Sequence, residues 1–310
     1  MTERIKNKDH AKRVKTKRLL LIAFLSLFLI PYSYISAKKP QQPTPLTTEQ
    51  EQQFRYYWYG AKQAIEEKRY QDALVLLEFC HALNPQDGTT LYQLGVFHQG
   101  MGHADQARAY FEQAYTVQPK GTANEDLLEQ LKRIYISDGE WKKVLAIQDE
   151  IDQRAGYDAF SALTRYRIYA MWGKNKKAIE AIDQYLERDP SNLRFLLFRL
   201  ELMEQTGAKQ KELYNLYEKI LEVDPYNLMV LNNYAYHLAT HGGELKKAER
   251  MSEITIRQEP DNPVYLDTYG WIMHLQGQDE LALFYLRKAL WNSNEKNRQE
   301  IEKHLKEIEH

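Results

Sequence analysis

The first fifty residues change abruptly from polar to apolar and back again. Eight lysines and arginines lie within the first 18 positions, and the unbroken apolar run Leu19–Ile30 follows them. Pro31 ends this run, and small residues stand at Ser36 and Ala37. A basic region, a short apolar core and small residues, in that order, are typical of a secretory signal. The run is shorter than the ~20 apolar residues that comfortably span a bilayer.

Residues 1–37 are therefore predicted to be a signal peptide or an uncleaved N-terminal membrane anchor. Both alternatives stay open, because cleavage after Ala37 would place Ile35 where a small residue is expected. In either case the positive charge favours a cytoplasmic N-terminus and an exported remainder. We expect the body to be periplasmic, or tethered to the cytoplasmic membrane by this segment. Residues 38–53 are polar, hold three prolines and are expected to form an extended linker.

From residue 54 onward, apolar residues follow a helical spacing. In residues 88–119 a turn at Gly100–Gly102 separates two apolar stripes, which are Leu91, Leu94 and Phe97, and then Ala107, Tyr110, Phe111 and Ala114. Small residues at Gly95 and Ala107 would allow the two helices to approach closely, and Pro119 ends the second helix. The pattern predicts a pair of antiparallel helices.

The same pattern returns every 34 to 37 residues. Three series carry it: glycines at Gly102, Gly139, Gly173, Gly207, Gly242 and Gly277, mostly small residues at Ala73, Ala107, Val144, Ala178, Leu213, Ala248 and Ala282, and prolines at Pro85, Pro119, Pro190, Pro225 and Pro260. A fixed period of this length is the signature of a repeat architecture. Seven units begin near Phe54, Gly88, Glu125, Ala159, Leu193, Leu228 and Pro263.

These units resemble the tetratricopeptide repeat (TPR), a helix–turn–helix unit of 34 residues. The second unit matches the TPR pattern at Leu94-Gly95, Ala107, Phe111, Ala114 and Pro119, and the last at Leu266, Tyr269-Gly270, Gly277, Ala282, Leu286 and Ala289. Residues 232–290 also resemble the C-terminal repeats of exported bacterial TPR proteins. The resemblance implies an all-α fold, a right-handed TPR solenoid of seven repeats over residues 54–291. Residues 292–310, with Ile301, Leu305 and Ile308 in one apolar line, are predicted to form a C-terminal capping helix.

Some units depart from the pattern. The third has Lys132, Val144 and Gln148 where two small residues and an aromatic residue are usual, and the fifth has Leu200 and Leu213 at the two small positions. We therefore expect units three to five to pack less tightly than the others.

Charge and composition narrow the possible functions. Outside residues 1–37 the chain carries 34 basic and 41 acidic side chains, so it lacks the overall positive field of a nucleic-acid binder. Cys80 is the one cysteine, which excludes intramolecular disulfides and cysteine-based metal clusters. His237 and His241 lie one helical turn apart, but they lack the glutamate of a zinc-protease motif, and packing between repeats is the favoured interpretation. No catalytic residue, metal site or cofactor is predicted.

The resemblance to TPR proteins implies a groove lined by the first helix of each pair, where extended partners bind. The corresponding positions in this chain are Trp58, Tyr92, Val96, Arg133, Arg167, Glu201, Asn232, Tyr236, Asp267, Trp271 and His274. The last five form the densest aromatic and polar cluster, and such side chains often anchor interfaces. An alternative, left open, is that the aromatic residues pack between repeats.

The expected function is a non-enzymatic protein–protein interaction scaffold of the bacterial cell envelope. Its partner would be a protein of the envelope, and it would touch the membrane only through an uncleaved N-terminal segment. The alternative is an accessory or assembly factor for envelope polymer export or outer-membrane biogenesis. An enzyme is disfavoured, because no segment outside the repeats is long enough for a catalytic domain.

Overall fold

The computed structural model describes residues 45–119 and 121–309, and the predicted signal or anchor of residues 1–37 lies outside them. In this part of the chain every regular element is an α-helix. The helices are α1 (Thr48–Glu66), α2 (Tyr70–Leu83), α3 (Gly88–Gly100), α4 (Ala104–Val117), α5 (Glu125–Ser137), α6 (Trp141–Ala155), α7 (Ala159–Met171), α8 (Asn175–Leu186), α9 (Leu193–Thr206), α10 (Gln210–Val223), α11 (Leu228–Thr240), α12 (Leu245–Gln258), α13 (Pro263–Leu275), α14 (Asp279–Asn292) and α15 (Glu295–Glu309). The prediction of an all-α fold made of consecutive helical pairs is confirmed.

The chain divides into two compact units, Met1–Gln118 and Pro119–His310. The described part of the first unit comprises the hairpins α1–α2 and α3–α4, and its core is formed by Ala61, Leu77 and Leu94. The second unit comprises five further hairpins and α15. Buried leucine, isoleucine, tyrosine and alanine side chains form its main core from α7 to α14.

Helix α1 begins earlier than the sequence pattern suggested. It starts at Thr48, inside the range 38–53 that was assigned to the linker. The reason is a capping box: the Thr47 side chain accepts from the backbone N–H of Gln50, and the Gln50 side chain accepts from the backbone N–H of Thr47. This exchange satisfies two amide groups that would otherwise lack partners at the helix start.

The two helices of a hairpin differ in how they begin. Each of the seven first helices has a side-chain N-cap, and the capping residues are Thr47, Asp87, Asn124, Asp158, Asn192, Asn227 and Asn262. None of the seven second helices has one. Each second helix instead follows a short turn, and from the second hairpin onward a glycine with φ between 63° and 78° supplies the left-handed residue of that turn.

Close approach within a hairpin depends on small residues. A Cβ atom added to Gly95 would lie 2.6 Å from Cε1 of Phe111, and one added to Gly270 would lie 2.9 Å from Cγ of Leu286. The third and fifth hairpins, which carry Lys132 and Leu200 at this position, have fewer close backbone approaches between their two helices than the other hairpins. The expected looser packing is therefore present in hairpins three and five. Hairpin four does not show the expected looser packing, because α7 and α8 pair closely.

Helix α15 packs on α14 and also on α13. Ile301 and Leu305 are buried against Leu266, Leu286 and Ala289. These contacts give α15 one buried and one solvated face, as is usual at the end of a repeat array.

Candidate functional site

One register position recurs on the first helices of the second unit. Arg133, Arg167, Glu201, Tyr236 and Trp271 follow one another at intervals of 34 or 35 residues, and each lies at the same place on its helix. The first three are exposed, Tyr236 is half-buried and Trp271 is buried. The predicted groove positions are therefore open at one end of this unit and closed at the other.

At the open end, one face of α7 carries large apolar side chains as well as a charged one. Phe160 is 75% exposed and Met171 is 54% exposed, both on α7. They stand seven residues before and four residues after Arg167, so the three side chains share one face of the helix. We call the surface of Arg133, Phe160, Arg167, Met171 and Glu201 the first-helix face. Sequence reasoning missed Phe160 and Met171, although their spacing from Arg167 was the signal that could have found them.

Helices α7 and α9 are linked by aromatic contacts on this side. The rings of Tyr166 and Phe198 stack with centroids 4.5 Å apart. The Tyr166 hydroxyl donates to a carboxylate oxygen of Glu201 at 3.4 Å. Burial, and secondarily the charge of Glu201, raise the pKa of Tyr166. Glu201 also accepts from Gln205, so its exposed carboxylate is hydrogen-bonded by two side chains of this chain.

At the closed end, α15 occupies the predicted groove positions. The imidazole of His304 stacks on the indole of Trp271 with centroids 4.3 Å apart. Nδ1 of His304 donates to the carboxylate of Asp267, at 2.9 Å and 3.1 Å from its two oxygens. Both partners of this hydrogen bond are buried. The aromatic and polar cluster predicted to bind a partner is thus engaged by the chain itself.

The remaining members of that cluster are also engaged or buried. The Tyr236 hydroxyl donates to Glu300 on α15 at 3.4 Å, and burial, followed by the nearby charges of Glu300 and Asp267, raises the pKa of Tyr236. Nδ1 of His274 lies 2.7 Å from a carboxylate oxygen of Asp279. Asn232 is 4% exposed, and its side-chain oxygen has no hydrogen-bond partner among the described residues.

The three candidates in the first unit have separate surroundings. Trp58 is half-buried and its ring lies parallel to that of Phe54, with centroids 6.4 Å apart. Tyr92 is half-buried, with its ring 5.8 Å from that of Phe111. Val96 is exposed. Trp58 and Tyr92 therefore contribute to packing as well as to the surface.

Nucleophilic and metal-binding chemistry finds little support in the described residues. Cys80 is buried, its thiol lies 3.8 Å from the carbonyl oxygen of Phe54, and burial, aided by the charge of Asp87, raises the pKa of the thiol to about 11. The rings of His237 and His241 lie 5.2 Å apart. Across residues 45–119 and 121–309, no group of three or more histidine, cysteine or acidic side chains is arranged to hold a metal ion.

None of the helices in the described part of the chain is long and apolar enough to cross a membrane. This finding concerns residues 45–119 and 121–309.

Comparison with known proteins gives the following likenesses. Residues 64–120 match a family model described as tetratricopeptide repeat. No curated protein matches the chain. The chain is similar to a structure of Naa15/Naa10 bound to HypK-THB, with 12% identity over 84% of this chain and 39% of that chain, and a TM-score of 0.54.

Two bacterial structures resemble the chain over most of its length. One is a tetratricopeptide repeat protein from Parabacteroides merdae, with 18% identity, 84% of this chain and 100% of that chain covered, and a TM-score of 0.39. The other is the C-terminal part of a TPR repeat-containing protein from Cytophaga hutchinsonii, with 14% identity, 81% and 99% covered, and a TM-score of 0.49. At these identities a likeness concerns the fold alone. The family match over residues 64–120 and the consecutive helical hairpins of the described residues show the fold of a tetratricopeptide repeat solenoid.

Proposed function

We propose that this protein is a non-enzymatic scaffold of the bacterial cell envelope that binds a protein partner on the first-helix face. The TPR fold in general supports protein–protein interaction. The single observation that carries the proposal is the exposure of Phe160 and Met171 beside Arg167. Phe160 is 75% exposed, and groups of exposed apolar side chains rimmed by polar residues commonly mark interaction sites.

Support for the envelope comes from the sequence of residues 1–37, whose basic region and apolar run are typical of an export signal. The expected location is the periplasm, or the outer side of the cytoplasmic membrane. The test is protease protection in spheroplasts of a Gram-negative host that expresses the C-terminally tagged chain. External protease should remove the body without lysis, and full protection until lysis would contradict export.

The binding face is tested by photo-crosslinking in the same cells. The 310-residue chain is made with p-benzoylphenylalanine in place of Phe160 and, as a matched control, in place of Trp291. Trp291 is another exposed aromatic residue, but it lies on the second helix α14. A discrete adduct from position 160 and none from position 291 is expected. Equal adducts from both positions, or none, would contradict binding on the first-helix face.

The same experiment separates the scaffold from the alternative function, an assembly or export factor. A scaffold with one partner should give one adduct of defined mass. A factor that handles unfolded or polymeric clients should give a ladder of adducts from position 160.

A further inference from the structure

Two exposed arginines stand in the same register on consecutive first helices of the second unit. Arg133 on α5 and Arg167 on α7 are 34 residues apart and both are exposed. Within the described residues neither guanidinium has a hydrogen bond or ion pair. Burial raises the pKa of the Tyr166 hydroxyl, and the charge of Arg167 acts on this pKa in the opposite direction. A guanidinium group offers five donors in a planar fork that matches a carboxylate.

Most other arginines of this unit are paired within the protein. Ion pairs hold Arg154 to Glu150, Arg165 to Asp149 and Asp152, Arg199 to Asp183, Arg257 to Glu253, Arg287 to Glu309 and Arg298 to Glu302. Acidic side chains outnumber basic ones outside residues 1–37, so intramolecular partners are abundant. Arg133 and Arg167 are left without one on the surface where a partner is proposed to bind.

The acidic side chains at the equivalent position of the next first helix, and on the same helix as Arg133, form no ion pair with these arginines. Glu201 stands at the same position on α9, but its carboxylate accepts from Tyr166 and Gln205. On α5, Glu129 pairs with Lys132 at 2.9 Å, and Asp126 lies two turns before Arg133. The positive charge at the open end is therefore available to a ligand.

We propose that the first-helix face binds an extended acidic segment of a protein partner. The inference rests on the function proposed above and names the partner's chemistry. Carboxylates of the segment pair with Arg133 and Arg167, and apolar side chains between them pack on Phe160 and Met171. Glu201, at the same register position on α9, repels a further acidic residue of the ligand. The acidic part of the ligand therefore ends near α7.

The experiment measures binding of three fluorescein-labelled 12-residue peptides to the 310-residue chain in detergent. All three peptides have leucine or phenylalanine at the same four positions. Between these apolar positions the first peptide carries four glutamates, the second four glutamines and the third four lysines. The glutamate peptide should bind at least about tenfold more tightly than the glutamine peptide, and its affinity should fall as salt is added. The lysine peptide should not bind. Equal binding of the glutamate and lysine peptides, or no binding of either, would overturn the proposal.

Variants assign the effect to the two arginines. The double substitution Arg133→Gln/Arg167→Gln should weaken binding of the glutamate peptide about tenfold or more, since each exposed arginine contributes a charge-assisted hydrogen bond. The control Arg257→Gln, on the second helix α12, should bind as the unsubstituted chain does. Circular dichroism checks that all variants remain helical. A folded double variant that keeps full affinity would overturn the proposal.

Two further outcomes separate the possible errors. A 12-nucleotide single-stranded DNA serves as a second acidic ligand. If it binds as tightly as the glutamate peptide, and if the double variant no longer binds it, the assignment to a peptide is overturned. An adduct from position 160 that persists in the double variant would refute the acidic ligand and leave the scaffold in place. Absence of any adduct would contradict binding on the first-helix face, and with it the function proposed above.

Discussion

The indole ring of Trp271 lies under the imidazole ring of His304, at a centroid distance of 4.3 Å and an interplanar angle of 19°. The two residues are 33 positions apart, on α13 and on the last helix, α15. The same imidazole donates to the buried carboxylate of Asp267. One side chain thus connects the last helix to both an aromatic and an acidic residue of the final hairpin.

His304→Ala should lower the free energy of unfolding by about 1.5–4.5 kcal/mol. The stacked pair contributes about 0.5–1.5 kcal/mol, and leaving the buried Asp267 carboxylate without its donor costs about 1–3 kcal/mol more. Urea unfolding followed by circular dichroism measures the change. The control is Lys303→Ala, an exposed neighbour on the same helix, which should stay within about 0.5 kcal/mol of the unsubstituted chain. Equal stability of the two variants would mean that α15 does not dock in solution.

Asn227→Ala should cost about 1 kcal/mol of stability, because it removes the N-cap of α11. The Asn227 side-chain oxygen accepts from the backbone N–H of Val230 at 3.2 Å, and its amide donates to Asp224 at 3.0 Å. Asn215→Ala, at an exposed position inside α10, is the matched control and should be neutral or slightly stabilising. Thermal unfolding of both variants tests the prediction. An Asn227→Ala variant as stable as the control would contradict the role of the cap.

Gly95→Ala should destabilise the second hairpin although alanine favours helices. The added Cβ would lie 2.6 Å from a ring carbon of the buried Phe111, and overpacking of this kind costs about 1–3 kcal/mol. Gly100→Ala is the control, because nothing lies within 4 Å of its added Cβ. We expect a lower melting temperature for the first variant and an unchanged or higher one for the second. The reverse order would show that α3 and α4 are further apart than described.

Cys80 should react slowly with a thiol reagent while the protein is folded. Its pKa is raised to about 11 by burial and by Asp87, so at pH 9 about one thiol in a hundred is ionised, against about half for a thiol with an ordinary pKa near 9. Because the folded state favours the protonated thiol, this group's contribution to stability is present below pH 9 and is lost as the pH rises toward 11. The measurement is the labelling rate at pH 9 with and without denaturant. Equal rates in both conditions would place the thiol on the surface.

Much of the fold could be predicted from the sequence because each hairpin carries its own signals. The glycine and proline series fixed the turns, and from Gly88 onward six first helices begin at the residues where the units were placed. The line of Ile301, Leu305 and Ile308 correctly indicated the face that α15 turns toward the last hairpin. These are local patterns, which a single sequence reveals through spacing alone.

The candidate site was harder to predict, because burial of a groove residue depends on contacts far away in sequence. Trp271 and Arg167 occupy equivalent register positions, yet the first is 8% exposed and the second belongs to the exposed residues. The difference arises from His304 on α15, and no spacing rule states where a last helix lies across the previous one. Helix pairing in the fourth hairpin was also misjudged, since this hairpin was expected to pack loosely with its two neighbours, yet α7 and α8 pair closely.

The restriction of side-chain caps to first helices has a consequence for how the chain tolerates insertions. Each cap sets the residue at which the first helix of its own hairpin begins. A change in the length of the segment before the cap therefore does not shift the helices that follow. The interval of 37 residues between Gly102 and Gly139, against 34 or 35 elsewhere, illustrates this, because the segment before the Asn124 cap takes up the extra residues. We expect short insertions just before Asn192, Asn227 or Asn262 to be tolerated, and insertions inside a helix to disrupt the hairpin that contains them.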